Sequence, residues 1–366
     1  MRLVSWLHLW PSLVSMIIVV FVCLTGTILV YCDEIIEASA GEAKYVIPVG
    51  EKLTLEELFE IQKKEIPGIL PSYVLYYNDS NRSVVINGFD PKNIRLSMIY
   101  MNPYTGEVLK YDKTIHFFFA MAHLHAEMLL GPVGGWIIGI ATIIFVLSTL
   151  TGLVLWWPRR WTRSTRQASF TIKWKAKFKR LNYDLHNVFG FYSLILCFVL
   201  GTTGLILFFQ PMMDLTMKSF GATTVDWHKE LPKADSNKVF MDAFPVMDQT
   251  FKEYPKKKVI KYWVYDYHKS GVFAFHVADM AGLKSDENND ILYFDKYDGT
   301  AYPITQEMHL HNKVENWVWQ LHMGQWLGQI GKFSTFIAGV ISTSLPITGF
   351  LIWWGRRKKK KKNKLA

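Results

Sequence analysis

Eleven histidines are spread over the 366 residues, and four of them recur in a pattern. His8 precedes Gly26 by 18 residues and His186 precedes Gly204 by the same interval, while His125 and His322 each precede a glycine, Gly152 and Gly349, by 27. A neutral imidazole offers one bare ring nitrogen to a metal. Two imidazoles presented by neighbouring helices at a common depth are the axial ligand set of a haem iron. His8 and His186 each stand just ahead of an apolar run, and His125 and His322 each stand 11 residues ahead of one. The spacing therefore predicts two ligand pairs, His8 with His186 and His125 with His322, and two haem b groups. Gly26 and Gly204 lie about 27 Å along a straight helix from His8 and His186. That puts them beside the His125–His322 pair, where they either clear space for the macrocycle or let helices pack closely. Gly152 and Gly349 have the same relation to the His8–His186 pair.

Other histidines fit the pattern less well. His123 aligns with Gln320 and, two residues from His125 on a helix, points elsewhere. His116 and His309 each follow a matched glycine, Gly106 and Gly299, by ten residues. Together with His311 they are candidates for a substrate site or for alternative ligands. His228, His268 and His276 read as ordinary surface residues. Trp156, Trp157, Trp353 and Trp354 read as an interfacial belt, whereas Trp317, Trp319 and Trp326 flank His322 and are candidates to pack a porphyrin face.

The elements that must carry these residues are apolar. Leu13 to Tyr31, Trp136 to Trp157, Val188 to Phe209 and Phe333 to Trp354 hold no acidic or basic residue, and runs of this length cross a bilayer as helices. The net charge of +10 is concentrated: Pro158 to Asn182 carries nine Lys or Arg and Gly355 to Ala366 carries eight. Short basic segments beside apolar spans face the cytoplasm, so both termini are expected inside, with the basic runs against anionic lipid rather than nucleic acid. The first span is long for a signal peptide and reads as an anchor. The three cysteines, Cys23, Cys32 and Cys197, lie in or beside the spans and build no disulfide framework. Nucleotide-binding glycine loops, HExxH and zinc-spaced cysteines are absent from the sequence, so electrons would come from a separate cytoplasmic reductase or from membrane quinol.

Between spans, each half holds the same kind of insert. Leu53 to Glu65 and Val239 to Glu253 predict helices. Tyr73 to Tyr77, Ser83 to Asn87 and Ser97 to Met101 predict strands in the first insert, as do Val259 to Tyr267, Gly271 to Val277 and Ile291 to Asp295 in the second. NPYTGEVL (Asn102 to Leu109) and DKYDGTAY (Asp295 to Tyr302) predict equivalent turns with positive φ at Gly106 and Gly299. The expected fold is thus an internally duplicated α-helical membrane protein with four transmembrane helices and two α+β extracytoplasmic inserts. Its segments are helix 1–31, insert 32–122, helix 123–158, basic loop 159–183, helix 184–209, insert 210–316, helix 317–355 and basic tail 356–366.

The His-x17-Gly spacing, the NPYTGEVL turn and the TG-x3-WW-x-RR exits of the second and fourth spans together resemble the PepSY-associated transmembrane protein family over nearly the whole chain. The resemblance implies PepSY-like inserts in the periplasm and a place in the bacterial inner membrane. It also implies a di-haem oxidoreductase that reduces ferric siderophore iron. Two other readings stay open: a haem-free PepSY-type sensor or peptidase regulator, and a quinol-linked b-type cytochrome with no iron substrate.

Overall fold

The computed structural model describes residues 1–264 and 267–362. Residues 265–266, within the strand expected over Val259 to Tyr267, and 363–366 of the basic tail lie outside the described residues. The chain divides into a helical unit (1–30, 121–212 and 321 onwards) and a sheet unit (31–120 and 213–320).

In the helical unit the apolar runs become long helices, because a backbone without water must satisfy its own hydrogen bonds. Among the described residues three helices are long and apolar enough to cross a membrane: Arg2–Leu29, Gly131–Trp156 and the stretch Gln325–Arg357. Their outward faces stay apolar, with Val14 82% and Ile330 73% exposed, which suits lipid. The third expected span is not a straight rod. Phe178–Tyr192 and Leu194–Phe208 meet at a bend of 64° and make a fourth pass when counted as one span. A widened π turn over Leu185–Phe189 precedes the bend, and the Ser193 hydroxyl donates to the Phe189 carbonyl (2.8 Å). Both features loosen a helical ladder enough to bend it. Small residues set the helix contacts: a Cβ on Gly339 would fall 2.2 Å from Thr27 Oγ1, and one on Gly201 2.7 Å from Val146.

The two inserts do not stand as separate small domains. They form one antiparallel sheet of seven strands: β1 (Leu70–Tyr77), β2 (Val84–Asp90), β3 (Arg95–Met101), β4 (Val108–Asp112), β5 (Val259–Trp263), β6 (Val272–Ala278) and β7 (Asp290–Asp295). The order is β4-β3-β2-β1-β5-β6-β7, so the first strand of each insert meets the other at a central seam. There Leu75 stands opposite Lys261, and Tyr73 and Tyr77 stand opposite Trp263 and Val259. An insert alone would leave β1 or β5 as a bare edge, and pairing them satisfies both ladders. The expected strands are present, the one expected over Val259 to Tyr267 ending at Trp263, with β4 added beyond the first turn.

Helices Leu55–Glu65 and Ala243–Glu253 close one core, with Leu55, Leu58, Phe244, Met247 and Phe251 buried against Val74, Ile86, Ile260 and Phe275. Thr54 and Glu57 form a capping box on the first helix, and the Asp242 carboxylate accepts from the Leu55 amide (2.9 Å), tying the two helix starts together. Gly106 and Gly299 turn at φ 76° and 72°, as the paired motifs predict.

Candidate functional site

The four recurrent histidines come together in the helical unit as the expected pairs. The rings of His8 and His186 lie with centroids 6.4 Å apart and planes at 74°, and those of His125 and His322 lie 6.1 Å apart at 48°. Along the Arg2–Leu29 helix, His8 and the seat of His125 at Gly26 are 18 residues apart, so the pairs are separated by about 27 Å of helix.

Each imidazole rests in a cradle made by a neighbouring helix, and the cradle is built the same way four times. A Cβ on Gly26 would fall 2.8 Å from Cε1 of His125, and one on Gly204 3.1 Å from that of His322. On Gly152 it would fall 3.3 Å from Cε1 of His8, and on Gly349 3.2 Å from that of His186. All four glycines therefore lie at the pairs where their spacing puts them. The room they make is taken up by the imidazole: its edge occupies the place of the missing side chain.

Nδ1 of each ring is bound to the same cradle. His8 Nδ1 lies 3.2 Å from the Ser148 carbonyl and 3.1 Å from Thr151 Oγ1. For His186 the partners are the Leu345 carbonyl (3.1 Å) and Thr348 Oγ1 (2.9 Å). His125 Nδ1 has the Val22 carbonyl (3.0 Å) and Thr25 Oγ1 (3.3 Å), and His322 Nδ1 has Thr203 Oγ1 (3.0 Å). Nε2 makes no hydrogen bond among the described residues, which leaves a bare nitrogen on each ring. A His nitrogen sits about 2 Å from the metal it ligates and roughly 1 Å from its ring centre, so two imidazoles on opposite sides of one ion have centroids about 6 Å apart. Both pairs match that separation. Among the described residues no cluster of three or more His, Cys, Asp or Glu could hold a metal ion; each pair brings two imidazoles together.

The threonines were the part of the cradle that spacing did not single out. The signal was present, since a Thr-Gly dipeptide recurs once in each of the four helices, at Thr25, Thr151, Thr203 and Thr348.

The remaining candidates lie apart from this pattern. His123 is bound four residues along its own helix, Nδ1 to Glu127 Oε1 at 2.6 Å. His116 is half-buried near the start of the Thr114–Glu127 helix. Burial, then the nearby Arg95 and Lys113 cations, holds its imidazole below the ordinary value. His309 is exposed. His311 Nδ1 donates to the Thr223 carbonyl (2.7 Å), and its ring meets that of His228 at 6.4 Å. Two histidines read as plain surface residues are engaged: His228 stacks on Trp227 at 4.2 Å, and His276 Nδ1 lies 3.2 Å from the buried Asp286 carboxylate.

Among the aromatics, Trp156 is buried and stacked on Phe191 at 3.9 Å rather than standing in a belt, whereas Trp157 and Trp354 are exposed as a belt requires. Trp317 and Trp326 are half exposed.

A family model described as the PepSY-associated TM region matches residues 5–356 of the chain. No curated protein matches it.

Proposed function

From the premise that this chain belongs to the PepSY-associated transmembrane family, we propose that it is a di-haem electron-transfer protein of the bacterial inner membrane. In this reading it reduces ferric siderophore iron on the periplasmic side. The observation that carries the proposal is the geometry of the two imidazole pairs, 6.4 and 6.1 Å between ring centroids, at positions separated by most of the length of one apolar helix. The residues fit the group. His8 with His186, and His125 with His322, would hold the iron of one haem each through Nε2. Haem, when bound, supplies a one-electron iron couple at each end of the bundle.

The chain's own residues hold the rings in place, keep Nε2 bare and surround each pair with apolar helix. The basic segments favour termini on the cytoplasmic side, so that the His8–His186 pair would lie towards the electron donor, a cytoplasmic reductase or quinol. His125 and His322 then face the acceptor side. A ferric siderophore suits that acceptor because Fe(III) held by hard oxygen ligands binds far less tightly once reduced to Fe(II).

Purified chain is expected to show a reducible b-type spectrum with two haems, and His322→Ala to retain one. A wild-type chain with no haem absorbance would overturn the reading in favour of a haem-free PepSY-type regulator. Reoxidation of the reduced protein by a ferric siderophore separates the reductase from a quinol-linked cytochrome.

A further inference from the structure

The four cradle threonines each have one hydroxyl proton to give, and each gives it to its own helix. Thr25 donates to the Phe21 carbonyl (2.9 Å), Thr151 to Leu147 (2.8 Å), Thr203 to Val199 (2.7 Å) and Thr348 to Ser344 (3.0 Å). With its proton engaged there, the oxygen can only accept in its contact with imidazole. The Val22, Ser148 and Leu345 carbonyls beside Nδ1 are also acceptors only. Every partner of Nδ1 is therefore an acceptor, and Nδ1 must carry the hydrogen. In a neutral ring this leaves the lone pair on Nε2.

We propose that Thr25, Thr151, Thr203 and Thr348 are positioning residues that lock the histidines in the Nδ1–H tautomer, fix the ring orientation and hold down the reduction potentials of the two haems. The proposal rests on the haem reading above. An Nδ1–H bonded to an acceptor makes the imidazole a stronger donor through Nε2, which favours ferric over ferrous iron and lowers the potential. The glycine next to each threonine belongs to the same device. It lets the ring approach the helix closely enough for Nδ1 to reach both the hydroxyl and the carbonyl three residues earlier.

The test uses the full chain with Thr348→Val, which keeps the β-branched shape and removes the hydroxyl, and Thr348→Ser, which restores the hydroxyl. Two readouts are taken: a potentiometric titration of both haems, and the ¹⁵N spectrum of histidine-labelled protein, which reports ring tautomers with or without haem. Thr348→Val is expected to shift one midpoint upward and leave the other in place, to move the Nδ1–H signal of His186, which keeps only the Leu345 carbonyl as acceptor, and to be rescued in both respects by Thr348→Ser. Loss of one haem in the Val variant with retention in the Ser variant supports the same role in a stronger form. Unchanged midpoints and an unmoved His186 Nδ1–H signal in Thr348→Val, or equal damage in both variants, would overturn it. A haem-free wild type that still shows the Nδ1–H tautomer would separate failure of the haem reading from failure of this one.

Discussion

The two halves of the chain are repeated in both units, but the repeat is kept in different ways. In the helical unit it is kept at the level of single atoms. Four times a glycine faces Cε1 and a threonine hydroxyl faces Nδ1, with separations spread over only 0.5 Å for the glycines and 0.4 Å for the threonines (2.8 to 3.3 and 2.9 to 3.3 Å). In the sheet unit the repeat is kept only as topology. Strand order mirrors about the β1–β5 seam, yet Leu75 in one half faces Lys261 in the other. Lys261 is 2% exposed and donates to the Gly282 carbonyl (2.8 Å) and to Asp286 (3.2 Å). The lesson is physical: a ligand geometry tolerates a few tenths of an ångström, whereas a packed sheet accepts any side chains that fill volume and satisfy their polar atoms.

Small changes in the helical unit should therefore remove chemistry, and changes in the sheet unit should remove stability. The largest effect is expected from Gly26→Val, which drives a branched side chain into the space of His125. On the di-haem proposal one of two haems should be lost from purified protein, with the sheet unit's hydrogen-exchange protection unchanged. A variant with full haem content would show that the cradle is looser than its distances imply.

Next comes Asp286→Asn, which leaves the buried Lys261 cation without its carboxylate. Breaking such a pair costs about 3–5 kcal/mol. Exchange protection across β5 and β6 should fall accordingly while the haem count stays at its wild-type value.

The smallest effect is a pH dependence. Burial alone would raise the Asp286 carboxyl, but Lys261 and then the His276 contact outweigh it and hold it down at about 2. A group lowered on folding contributes stability above its unfolded value of about 3.9 and loses it as the pH falls towards the folded one. The sheet unit should therefore lose about 2 kcal/mol between roughly pH 4 and pH 2. Asp286→Asn should lack that component, and an identical acid profile in variant and wild type would contradict it.

Much of this molecule is set by local pattern. Apolar runs of this length without charge form helices long enough to cross a membrane. The matched intervals from His8, His186, His125 and His322 to their glycines assign partners because helical rise converts residue number into depth. The Gly106 and Gly299 turns follow from paired motifs whose backbone needs positive φ.

Other features came from chain segments that the sequence does not place side by side. Pairing of β1 with β5 joins strands nearly two hundred residues apart, and edge satisfaction alone does not say which edge will be met. Likewise, which atoms of a ring a glycine will touch depends on the helix facing it. Spacing therefore put Gly26 at the correct depth, while only packing showed that it seats an imidazole and that Thr25 beside it holds Nδ1. The bend at Ser193 belongs to the same class, since uniform hydrophobicity hides a local change of helical winding that the backbone hydrogen bonds reveal.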